Sequence, residues 1–192
     1  KRAMVGLRRW LGSGLAVVLA ITAAQLLLHL ATASRYGYFG DELYFLACGE
    51  HLDWGYVDQP PLVAAVAWLV RHTLGTSLLA MRLPSALAGA GLVLLTGLLA
   101  REMGGGRFAM GLSALASALA FVYVVMHYLF TMNAFEPLFW TGCAYVVVRI
   151  VKTGDQRLWL AFGAIAGLGL QTKYSMAVFA FALVVGVLLS PQ

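Results

Sequence analysis

Long apolar runs separated by short polar segments dominate this chain, and they predict helices rather than strands. A helix needs about 20 apolar residues to cross a bilayer. On that length scale the pattern predicts about six spans, near residues 10–33, 82–100, 108–130, 135–151, 158–170 and 174–189. A further apolar stretch, 62–73, is too short to span and contains Arg71 and His72. Such a stretch is interfacial or re-entrant. Pro60 and Pro61 before it would stop one helix and start the next. The expected fold is an all-α polytopic membrane protein, one transmembrane domain over 1–192. A first extracytoplasmic loop at 34–73 would carry a short amphipathic helix.

Composition supports this class. Hydrophobic residues make up 61% of the 192 residues and charged residues 11%, where a soluble domain carries about 25% charged. The net charge of +5 is no sign of a nucleic-acid partner, because the basic residues lie at span ends, where they set orientation. Lys1, Arg2, Arg8 and Arg9 place the N-terminus inside, and the loops holding Arg101, Arg107, Arg149, Lys152 and Arg157 then fall on the same side. The N-terminal region has the layout of a signal peptide, with Ala31-Thr32-Ala33 as the cleavage-like site, but its apolar stretch is long enough to anchor. Cys48 and Cys143 form no disulfide framework and read as small apolar side chains.

Against this background one segment stands apart. "YFGDELYFLACGEHLDWGYVDQPPL" holds Asp41, Glu42, Glu50, Asp53 and Asp58, five of the eight carboxylates. Gly40-Asp41-Glu42 reads as a helix start with Gly40 as its cap and both acids in the first turn. Asp41, Tyr44, Phe45 and Cys48 would share a face. Two readings stay open: ordinary capping in a solvated loop, or Asp41 as a carboxylate that accepts a proton from, or orients, an attacking hydroxyl or amine. Glu136 in "HYLFTMNAFEPLFW" reads as a first-turn carboxylate or a site residue. Lys173 in "GLGLQTKYS", Arg82 in "MRLPSALAG" and Arg71 read as anchors or as cations for a phosphate. The topology places Asp41, Glu42, Glu136 and Lys173 at one membrane surface. The four histidines are scattered. Glu50, His51 and Asp53 lack metal-ligand spacing, so no metal site and no cofactor is expected, although a divalent cation stays compatible.

The segments "GDELYFLACGEHLDWGYVDQPPLVA", "LGTSLLAMRLPSALAGAGLVLLTGLLARE" and "GLGLQTKYS" together resemble the dolichyl-phosphate-mannose–protein mannosyltransferase-like group. This is glycosyltransferase family 39 with its bacterial relatives, including the lipid A aminoarabinose transferases, all of the GT-C fold. The resemblance covers 36–192. It implies an enzyme that passes a sugar, with inversion, from a polyprenyl-phosphate donor to a hydroxyl or amine acceptor at the extracytoplasmic face of a bacterial inner membrane. It implies a catalytic Asp41 with Glu42 beside it, and Lys173 and Arg82 at the donor phosphate. Glu136 stands where relatives often carry an aspartate; with Tyr44 and Asp58 it is a candidate for acceptor binding or support of the site. It implies a lipid-linked donor and membrane lipids as partners, an unidentified acceptor, and a longer enzyme of which this chain is the N-terminal part. The competing expectations are a lipid-binding or scaffolding GT-C-like subunit without activity, and a proton-coupled transporter using Asp41 and Glu136.

Overall fold

The computed structural model describes residues 13–189, and every regular element among them is helical. The N-terminal basic cluster, the start of the first predicted span and the last three residues lie outside the described part. Nine α-helices and one 3-10 turn are described. They are α1 (Gly14–Thr32), α2 (Gly40–Glu50), α3 (Leu62–Thr73), α4 (Leu78–Glu102), α5 (Arg107–Leu119), α6 (Phe121–Tyr128), the turn Met132–Ala134, α7 (Glu136–Thr153), α8 (Leu158–Leu170) and α9 (Ser175–Leu189).

Local chemistry sets several boundaries. The hydroxyls of Ser13 and Ser77 accept from Ala16 N and Ala80 N, each at 3.2 Å, and so start α1 and α4. Gly154 ends α7 in the left-handed region at φ 67°. The start of α2 differs from expectation by one residue: Phe39 is the cap and Gly40 the first helical residue. Phe39 has no side chain able to cap. Glu42 supplies the missing acceptor, its Oε2 taking the Phe39 N–H at 2.9 Å.

Three helices are long and apolar enough to cross a membrane: α1, α4, and α7 with its preceding turn. The bent pair α5–α6 makes a fourth if it is one span. The six expected spans are therefore not all met by length, since α8 has 13 residues and α9 has 15. The predicted span 108–130 breaks at Ala120, where α5 and α6 meet at 59°. The second span begins at Leu78, so Arg82 lies inside the helix rather than at its start.

Packing divides into three clusters. Val18, Val93, Met110 and Ala114 join α1, α4 and α5. Cys143, Val147, Phe162 and Met176 join α7, α8 and α9. The third cluster joins α2 and α3 to the N-terminal end of α4 through Phe45, Val63, Ala67, Val70 and Met81, with Phe130 beneath them. This third cluster corrects the expectation of a lone amphipathic helix at the surface. The buried side of α2 is Glu42, Phe45, Cys48 and Gly49, facing α3 and α4, and it leaves Asp41 and Tyr44 exposed.

Candidate active site

Three segments converge at one end of the bundle. Asp41, Tyr44 and Phe45 from α2, Asp58 from the following loop, and Thr131, Met132 and Asn133 from the turn before α7 line one cleft of about 580 Å³. Asp41 is at the start of α2, where unpaired backbone N–H groups and the helix dipole favour a carboxylate. Tyr44 Oη donates to Asp58 Oδ1 at 2.5 Å, which clips the loop onto α2. That bond raises the Tyr44 phenol above its ordinary value, because losing the proton would set two anions together.

Lys173 comes from the turn between α8 and α9. Its Nζ donates to Asn133 Oδ1 at 3.0 Å and to Glu136 Oε2 at 3.2 Å. Ser175 donates to the other Glu136 oxygen. Asn133 therefore belongs to both groups: it lines the Asp41 cleft and holds the lysine. Lys173 is half-exposed, so its ammonium is accessible while Glu136 orients it. Gln171, two residues earlier, accepts from Leu62 N at 2.9 Å and fixes this turn against α3.

Glu42 and Arg82 lie apart from the cleft and are committed to each other. Glu42 is 0% exposed and Arg82 2%. Arg82 Nε donates to Glu42 Oε1 at 2.9 Å and Nη2 to Oε2 at 2.7 Å, a bidentate pair. The carboxylate also accepts from Phe39 N and, at 3.0 Å, from Phe130 N. The guanidinium also donates to Ala33 O at 2.6 Å, Gly37 O at 2.9 Å and Tyr36 O at 3.3 Å, and it stacks 4.6 Å from the Tyr128 ring. Burial opposes ionisation of Glu42, but the Arg82 bonds and the two backbone N–H groups outweigh it and hold the carboxyl below its ordinary value. Every Arg82 donor group is engaged, so none is left over for a lipid phosphate. The pair ties the end of α1, the start of α2, α4 and the segment after α6 into one knot beside Asp41.

Arg71, the other candidate cation, pairs with Glu50 at the exposed edge of α3, away from the cleft. Among the described residues, no three His, Cys, Asp or Glu side chains are gathered as a metal site. Asn133, Ser175 and the Phe130 N–H were not anticipated. Asn133 carried a signal, a polar side chain three residues before Glu136 in an otherwise apolar segment. A backbone N–H carries none.

A family model described as dolichyl-phosphate-mannose-protein mannosyltransferase matches residues 58–192, more than half of the chain. The chain belongs to that family. No curated protein and no solved structure matches it. The matched region includes Asp58, Arg82, Asn133, Glu136 and Lys173, whereas Asp41 and Glu42 precede it. Membership in this mannosyltransferase family points to a glycosyltransferase, and the apolar helices make it an integral membrane protein.

Proposed function

We propose that the protein transfers a sugar from a polyprenyl-phosphate donor to a hydroxyl or amine acceptor. One observation carries this reading. Asn133 lines the same cleft as the Asp41 carboxylate and accepts a hydrogen bond from a cation, Lys173, so segments distant in sequence bring the two charges to one end of the bundle. Glycosyl transfer from a lipid phosphate needs that pairing. The acceptor oxygen or nitrogen bonds to the anomeric carbon as the bond from that carbon to the phosphate oxygen breaks. The acceptor's proton passes to Asp41, and the departing phosphate oxygen keeps the bonding electrons. Asp41 orients the acceptor and takes the proton. Lys173 stabilises the growing charge on the leaving phosphate, and Glu136, Asn133 and Ser175 hold Lys173 in place. Asp58 and Tyr44 border the acceptor side. The burial of Glu42 and Arg82 supports positioning roles for both. Attack opposite the leaving phosphate inverts the anomeric centre.

The site faces outward in this reading. Arg149 and Lys152 gather around Glu102 at the other end of the long helices, and a basic end belongs in the cytoplasm.

The deciding experiment uses the complete protein in lipid nanodiscs, given a panel of polyprenyl-phosphate sugars while polyprenyl phosphate release is followed. Release by the wild type that collapses by about 100-fold or more in Asp41→Asn supports the assignment. Equal release by both removes Asp41 from the centre. Donor binding without turnover, with acceptors supplied, makes the protein a lipid-binding subunit instead.

A further inference from the structure

Directly below the Arg82 knot, the interior of the bundle is polar. On α1, Thr22, Gln25 and His29 follow a helical i, i+3, i+7 spacing and line one stripe. On α4, Ser85 and Gly89 continue the stripe that begins with Arg82. α6 contributes His127. Gln25 is 7% exposed, His29 4%, Ser85 0% and His127 1%. The packing is close, since a methyl group on Gly89 would lie 2.7 Å from His127 Cγ and 2.8 Å from Gln25 Nε2. Yet Thr22 Oγ1, Gln25 Oε1, His29 Nε2, Ser85 Oγ and His127 Nε2 have no hydrogen-bond partner among the described residues.

That many unpaired polar atoms in the interior of a membrane bundle is costly, because lipid cannot satisfy them. The chemistry of the atoms says what would. His127 Nδ1 lies 2.7 Å from Tyr123 O. A carbonyl only accepts, so Nδ1 carries the proton and Nε2 presents a lone pair. Gln25 Oε1 accepts as well, and the Ser85 and Thr22 hydroxyls can donate or accept. A ligand for this set must both donate and accept. It must also be uncharged, because the set offers a cation no carboxylate, the nearby Glu42 being used by Arg82 and two backbone N–H groups, and offers an anion no free positive charge, every Arg82 N–H being engaged. A divalent cation would find two imidazoles and no anion at low dielectric, which is unfavourable.

We propose that Gln25, His29, Ser85 and His127 hold a bound water cluster inside the bundle, at the junction of α1, α4 and α6. Water is the small neutral ligand that meets both requirements, each molecule joining two to four polar groups that do not bond one another. The site is independent of the transferase reading. It provides a hydrated support for α6, whose Tyr128 ring lies against Arg82 and after which the Phe130 N–H caps Glu42.

The experiment is water-edited solid-state NMR of protein labelled with ¹⁵N-histidine, in lipid bilayers. The chain has four histidines; His51 and His72 are exposed and serve as controls. Magnetisation from water should reach all four ring systems, with His127 Nε2 in its unprotonated, hydrogen-bonded form. Ser85→Ala should reduce the water signal at His127 and leave His51 and His72 unchanged. Water transfer to the two exposed histidines alone would overturn the proposal. So would a metal-shifted Nε2 resonance with stoichiometric metal by elemental analysis. The wild-type spectrum decides between these outcomes even where a variant does not fold.

Discussion

Asp41 and Glu42 are adjacent, yet the helix sends them to different environments. Asp41 points into the cleft, and Glu42 turns inward to Arg82. Replacing each by its amide separates the two roles. Asp41→Asn should leave stability within about 0.5 kcal/mol, as surface changes do, while abolishing transfer. Glu42→Gln leaves a buried guanidinium without its counter-ion and should cost about 3–5 kcal/mol, measured as thermal unfolding in one detergent. Because the Glu42 carboxyl is held below its ordinary value, its contribution is present at neutral pH and lost as acid protonates it below the normal carboxylate range. Unfolding of the wild type should therefore steepen in acid, and that portion should vanish in Glu42→Gln. At Lys173 the charge is what matters. Lys173→Met should lower kcat/KM for the donor by about 10²–10³-fold, as loss of a transition-state donor does, with the fold intact by circular dichroism. The acidic pair and the lysine were legible as residue types at span ends. The partition of the pair was not, since sequence spacing alone does not say which acid finds a buried arginine.

Among the elements, most helices could be read from apolar run length, and the one expected cap, Gly40, lay one residue inside the helix it was to start. The break at Ala120 could not, because it has neither proline nor glycine to mark it. The break carries α6 across the bundle so that Tyr128 and Phe130 reach the Glu42–Arg82 knot, a tertiary reason with no local signal. Small residues permit close helix approach at Gly89, Gly91, Gly97 and Gly169, whereas a Cβ at Gly163 or Gly167 would meet nothing within 4 Å. Gly97 of α4 makes the case testable: a methyl group there would lie 2.6 and 2.7 Å from the two γ-carbons of Val18 on α1. Val18 is β-branched and fully buried, so it cannot swing aside. Gly97→Ala should destabilise by about 1–3 kcal/mol. The double variant with Val18→Ala should recover part of the loss, and a double-mutant cycle by thermal unfolding checks the coupling. Full additivity would show that the two helices do not meet there.

The whole molecule has two chemically different ends, and their placement across the membrane is the claim on which an extracytoplasmic reaction depends. One end carries Asp41, Asp58, Glu136 and Lys173. The other carries Glu102 with Arg149 and Lys152, beside the loops of Arg107 and Arg157. The sequence separated these groups by counting alternate spans, and the fold gathers each group at one end although fewer helices than counted have spanning length. The alternation survives because the short α8 and α9 still reverse direction and return Lys173 to the end that holds Asp41. Single cysteines can report the sidedness, since Cys48 and Cys143 are buried and give little background. Ser34→Cys, in the exposed loop before α2, should react with a membrane-impermeant maleimide on intact cells. Gln156→Cys, in the exposed turn before α8, should react only after the membrane is opened. Both positions are exposed, so differential labelling reads location rather than burial. The reverse pattern would place the Asp41 cleft in the cytoplasm, and labelling of both on intact cells would put the two ends on one side and break the bundle arrangement itself.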